Sequence, residues 1–67
     1  MSVYKIIELV GTSEKSWEDA VNEVVKTASK TLKDLRIAEV REMDVKIEDG
    51  KVVLYRVRVH LSFKYHK

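Results

Sequence analysis

The chain has 67 residues, a formal net charge of +2, no cysteine and no proline. A domain of this size hides only about 60% of the surface its unfolded chain exposes, so a lone copy is marginal, and small domains usually add disulfides, a metal or partner subunits. The lack of cysteine excludes disulfides and thiolate metal sites, leaving oligomerisation or an oxygen-bound ion.

The first element is "VYKIIELV", residues 3–10, rich in β-branched side chains and ended by Gly11; it reads as a strand. "TSEKS" then leads into a helix expected over about residues 17–34. Ser16 is its N-cap, with Asp19 three residues on, close to a capping box. Glu18 and Asp19 in the first turn, and Lys30 and Lys33 in the last, complement the helix dipole. Trp17, Ala20, Val21, Val24, Val25, Ala28, Leu32 and Leu35 form one apolar stripe that faces a core.

Two long strands follow, at about 36–47 and 51–65, separated by "EDG". In the second, Val53, Tyr55, Val57, Val59, Leu61 and Phe63 share one parity, and Arg56, Arg58, His60 and Lys64 the other. The first is less regular. Ala38 and Val40 are apolar at even positions, whereas Met43, Val45 and Ile47 are apolar at odd ones. Either that strand bulges, or something outside the chain covers a second half-apolar face.

A two-residue Asp49-Gly50 turn sets Asp44 against Tyr55 and Lys46 against Val53, with charges opposing the apolar face. A three-residue loop, Glu48-Asp49-Gly50, sets Met43 against Tyr55, Val45 against Val53 and Glu42 against Arg56. The three-residue loop is the expectation. The fold class is therefore α+β, in the order β-α-β-β, one domain over residues 1–67. The last strand is central in a three-stranded antiparallel sheet, and one helix covers one face. Val40, Val52 and Leu54 lie among charges on the other face.

Functional signals are few. Glu42 and Asp44 point the same way and form the candidate metal pair, although calcium needs six to eight oxygens. The competing reading pairs Glu42 with Arg56 and leaves Asp44 solvated or salt-bridged. Arg56, Arg58, His60 and Lys64 make a basic face, suited to an anion or to acidic residues across the sheet. His60 and His66 stand too far apart for a shared metal. Trp17 belongs to the core. No catalytic constellation is present, so the chain is not read as an enzyme. Thirteen basic residues against eleven acidic ones do not favour nucleic acid as a partner. No apolar run approaches membrane-spanning length, and the expected location is the cytoplasm.

"VYKIIELVGTS", "SWEDAV", "KTLKDLR" and a long hairpin ending "VHLSF" together resemble the dodecins over Val3 to Phe63. The resemblance implies a hollow homododecamer in which a three-stranded sheet wraps the helix and neighbouring subunits cover the second face. It also implies flavin storage without chemistry. In the family a tryptophan on the second strand stacks on the flavin ring, a glutamine in the last strand meets the ring's polar edge, and some members add a phosphate-binding arginine. Ile37, Arg56 and Asp44 hold those three places here. An aliphatic side chain offers no π surface, a guanidinium has no acceptor, and a carboxylate repels phosphate. The flavin pocket is therefore expected to be altered.

"SVYK", "GTS" before "SWE", the Glu42 and Asp44 pair, "YR" and "SF" resemble the calcium dodecin branch more closely. That branch implies calcium as ligand, but the match does not single out the ligand residues; Glu42 and Asp44 stay the candidate pair on their own placement. The alternatives are residual binding of riboflavin or flavin mononucleotide, and an assembly whose ligand sites are vestigial.

Overall fold

The computed structural model describes residues 1–66. It has four elements: β1 (Tyr4–Ser13), α1 (Trp17–Ala28), β2 (Leu35–Glu48) and β3 (Lys51–Lys64). The sheet order is β1-β3-β2, and β3 is antiparallel to both neighbours. The α+β class and the β-α-β-β order are thus as the sequence implies.

Strand β1 continues through Gly11 to Ser13 instead of ending at the glycine. Gly11 is the point where helix meets strand. A Cβ there would collide with Val24 Cγ2 and stand 2.6 Å from the Ala20 carbonyl oxygen. The bare backbone lets α1 settle on β1, and no larger residue fits without moving the helix.

Ser16 caps α1, its Oγ accepting from the Asp19 N–H at 3.0 Å. Ser13 Oγ donates to Asp19 Oδ2 at 2.7 Å and accepts from the Lys15 N–H at 2.9 Å, so the buried Ser13 is satisfied on both sides. The helix stops at Ala28, well short of residue 34. Beyond the Ser29 cap, Lys30 N–H donates to Thr27 and Thr31 N–H to Ala28, which tightens the chain into three-residue turns. Asp34, at φ 60°, then turns it into β2. Lys30 and Lys33 lie past the helix, and its last turn carries Lys26. Leu32 and Leu35 still pack against the core from outside α1, which is why the apolar stripe outruns the helix.

The core consists of Ala20, Val24 and Ala28 from α1 against Val57, Val59 and Leu61 from β3. Ile7, Leu9, Val21 and Val25 seal its edges. The small helical residues allow the helix close to the sheet, and the larger strand residues fill the layer.

The hairpin register differs from the three-residue expectation. Asp49 and Gly50 are both left-handed, at φ 51° and 73°, and Glu48 pairs with Lys51 across a two-residue turn of the primed kind. Ile47 then faces Val52 and Lys46 faces Leu54, so Val53 is an extra residue on β3. That one insertion restores a favourable ladder: Val45 with Tyr55, Asp44 with Arg56, Met43 with Val57 and Glu42 with Arg58. The expected partners Met43–Tyr55, Val45–Val53 and Glu42–Arg56 are each replaced. An isolated turn rule fails here because a bulge supplies the missing half-step.

A second extra residue, Arg41, separates Val40 (opposite Val59) from Glu42 (opposite Arg58). This is the phase slip seen in the sequence. Directly opposed residues share a face, so the bulge returns Val40 to the helix side with Met43. Val40 does not belong to the second face, and neither does Val52, which the extra residue at Val53 sets opposite Ile47 on the helix side. A third irregularity falls at Arg36, between Leu35 and Ile37.

The molecule measures 50 × 20 × 14 Å. A twelve-residue helix is about 18 Å long at 1.5 Å per residue, whereas a fourteen-residue strand runs about 46 Å. The helix therefore leaves part of its own side of the sheet bare. Ile47 and Val52 near the turn, and Val40 and Met43 on the edge strand β2, are 41–63% exposed there.

Candidate functional site: the outer face of the sheet

The face turned away from α1 is built from three parallel rows. Glu8, Val10 and Thr12 of β1 stand opposite His60, Arg58 and Arg56 of β3. Those in turn stand opposite Glu39, Glu42 and Asp44 of β2. Basic side chains fill the central strand and carboxylates flank it, the arrangement that cross-strand pairing favours.

Asp44 and Arg56 make a two-pronged contact. Arg56 Nε donates to Asp44 Oδ1 at 2.7 Å and Nη2 to Oδ2 at 3.0 Å. This fork-on-fork geometry is the strongest form of the arginine–carboxylate contact. The Arg56 guanidinium, through that bond, holds the Asp44 carboxyl below its ordinary 3.8, and the same bond raises Arg56. One row along, Arg58 Nη1 donates to Glu42 Oε1. Val10 and Val57 join these four side chains around a depression of about 20 Å³, room for one water-sized occupant.

His60 completes the next row. Its Nε2 is 2.9 Å from Glu8 Oε1 and its Nδ1 is 4.0 Å from Glu39 Oε1, while Glu39 also meets Arg41 at 3.3 Å. His66 lies elsewhere, 2.7 Å from Asp34 in the turn before β2. That bond, with Arg36 behind it, holds the Asp34 carboxyl low. The two histidines thus serve separate pairs.

The residues singled out from the sequence do not all meet. Asp44 and Arg56 are in direct contact, and Glu42 is their neighbour on β2. Ile37 is 65% exposed and sits opposite Ser62, six residues and about 20 Å along β3 from Arg56. The three positions cannot form one pocket within a single chain. Sequence reasoning missed the Glu42–Arg58 pair because it chose the three-residue loop and took no account of the extra residue at Val53. Trp17, expected in the core, is half-buried at the core's edge and donates its indole N–H to the Asp44 carbonyl at 3.0 Å.

Neither implied ligand finds a complete set of partners in one chain. Calcium takes six to eight oxygens, but Glu42 and Asp44 each spend carboxylate oxygens on an arginine. Among the described residues no three His, Asp or Glu side chains gather as a metal site would require. For a flavin ring, Ile37 supplies apolar contact but no stacking surface.

Comparison with known proteins resolves the family. The Dodecin family model matches residues 3–66. The chain belongs to the dodecin family. It is 42% identical over 64 residues to the calcium dodecin of Mycobacterium tuberculosis, covering 96% of this chain and 90% of that protein. It is 40% identical over 62 residues to the dodecin of Thermus thermophilus, covering 92% and 90%. Among solved structures, dodecin from Streptomyces coelicolor superimposes with a TM-score of 0.94 at 36% identity, over 98% of this chain and 94% of that one. The M. tuberculosis calcium dodecin, described as calcium chelating with a novel calcium-binding site, superimposes with a TM-score of 0.85 over 97% and 93%. The dodecin fold is thus shared with relatives of both kinds of name. Among the described residues no helix is long and apolar enough to cross a membrane.

Proposed function

We propose that this dodecin is a non-catalytic ligand-binding subunit, built as a hollow homododecamer in which the flavin pocket is altered. The observation that carries the reading is the replacement of all three flavin-position residues by groups of different chemistry. Ile37 is aliphatic and exposed, and Asp44 and Arg56 are committed to each other by two hydrogen bonds. Residues that satisfy one another have little left for a ring edge or a phosphate.

Assembly is supported by the bare apolar strip on the helix side. Val40, Met43, Ile47 and Val52 are left exposed on that side, on a chain with little else to cover them. The outer face adds Ile6 and Ile37 at the edges of its charged rows. Other copies of the chain are the natural cover for both.

Calcium is the ligand class to test first, because a relative of 42% identity bears that name. Its binding would draw oxygens from more than one chain, since one chain offers too few. Light scattering on purified protein tests the assembly, with a mass near twelve times 7.8 kDa expected. A stable monomer or dimer at micromolar concentration contradicts it. A calcium-dependent rise in melting temperature, absent with chelator, tests the ligand class, because a ligand that binds only the folded state must stabilise it. No rise at millimolar calcium removes calcium from the proposal.

A further inference from the structure

The carboxylates best placed to receive a cation already have one each. Glu42 and Asp44 are two residues apart on the same face of β2, and Arg58 and Arg56 lie directly across on β3. Both Asp44 oxygens accept from Arg56, and Glu42 Oε1 accepts from Arg58. The two positive and two negative charges cancel. The depression they enclose with Val10 and Val57 has room for one small occupant, but no unbalanced charge to attract it.

A divalent ion entering here must displace guanidinium groups tethered to the same hairpin. A tethered partner competes at an effective concentration in the millimolar range or above. It also has the bidentate geometry that a carboxylate prefers. Calcium affinity rises with the number of charged oxygens available to it, and the arginines reduce that number.

We infer that Arg56 and Arg58 act as built-in counter-cations that bar divalent ions from Glu42 and Asp44. Metal selectivity at this face is therefore set by the last strand and not by the acidic pair. The choice of calcium as probe rests on the ligand class proposed above; the ion pairs themselves do not.

The test is calorimetric titration of calcium chloride, at low ionic strength, into the assembled wild type, E42Q/D44N and R56Q/R58Q. Wild type and E42Q/D44N are expected to bind calcium with the same stoichiometry and affinity, whatever those are. R56Q/R58Q, with its carboxylates released, is expected to gain a site at least about tenfold tighter than anything the wild type shows at this face. If R56Q/R58Q does not assemble, R56Q alone is expected to show a smaller gain. Loss of a wild-type calcium site in E42Q/D44N overturns the inference, as does an assembled R56Q/R58Q or R56Q that gains nothing. Calcium binding that E42Q/D44N leaves intact supports both the inference and the proposed ligand class. A wild type that binds no calcium removes the ligand class alone, and a gain in R56Q/R58Q then still supports the inference.

Discussion

Trp17 donates its indole N–H to the main-chain carbonyl of Asp44 at 3.0 Å, and its ring meets Tyr55 edge-on with centroids 5.1 Å apart. The first turn of α1 is thereby tied to β2 at the residue whose side chain engages Arg56 on the opposite face. Trp17→Phe keeps an aromatic ring but loses the donor. It is expected to lower stability by about 1 kcal/mol, the usual net worth of one hydrogen bond. Trp17→Ala also loses the edge contact, about 0.5–1.5 kcal/mol, and on top of it the apolar area the ring buries. Denaturant unfolding of the two variants measures the step between them. An unaltered midpoint in Trp17→Phe would show that the bond does not contribute in solution.

Gly11→Ala is expected to be costly, because this position on β1 is buried under α1. The new methyl collides with Val24 Cγ2, which can move, and with the Ala20 carbonyl, which belongs to the helix backbone. Overpacking of this kind costs about 1–3 kcal/mol. Gly11→Ala with Val24→Ala removes only the first collision, so rescue is expected to be partial. Melting temperatures of the single and double variants decide it; a neutral Gly11→Ala would contradict the close approach of α1 to β1.

The alternation in β3, the Ser16 cap and the antiparallel order could be read from residue type alone, because each depends on neighbours in sequence. The phase slip at Arg41 was also legible, but its consequence was not. A bulge moves Val40 to the helix side only once the partner strand is known. The extra residue at Val53 left no mark on the pattern, so the hairpin register, and with it the choice of ion-pair partners, escaped sequence reasoning. The end of α1 escaped for a different reason. Leu32 packs on the core whether or not its backbone is helical, so hydrophobic spacing cannot locate the stop.

The register makes a direct prediction about coupling. In double-mutant cycles, Asp44→Asn with Arg56→Gln and Glu42→Gln with Arg58→Gln are expected to be non-additive. The cross pair Glu42→Gln with Arg56→Gln is expected to be closer to additive, because those residues occupy different rows. Coupling confined to the cross pair would restore the three-residue turn.

The same contact gives a pH dependence of known sign. Asp44 has a folded-state value held below 3.8 by Arg56. A carboxyl lowered on folding stabilises the native state above its unfolded value and stops doing so as pH falls through the lowered one. Wild type is therefore expected to exceed Asp44→Asn in melting temperature at neutral pH, with the gap closing below about pH 4. A gap that stays constant into acid would assign the difference to packing instead of charge.

The proposed alteration of the flavin pocket is tested most directly by titrating flavin mononucleotide into the purified protein and following its fluorescence. Without an aromatic at position 37, and with Arg56 committed to Asp44, little quenching is expected at micromolar protein. Ile37→Trp with Arg56→Gln restores the ring and the amide. Ring stacking contributes about 0.5–1.5 kcal/mol, up to about tenfold in affinity, so that variant is expected to quench measurably more. Quenching by the unmodified protein at submicromolar affinity would contradict the account and make flavin its ligand.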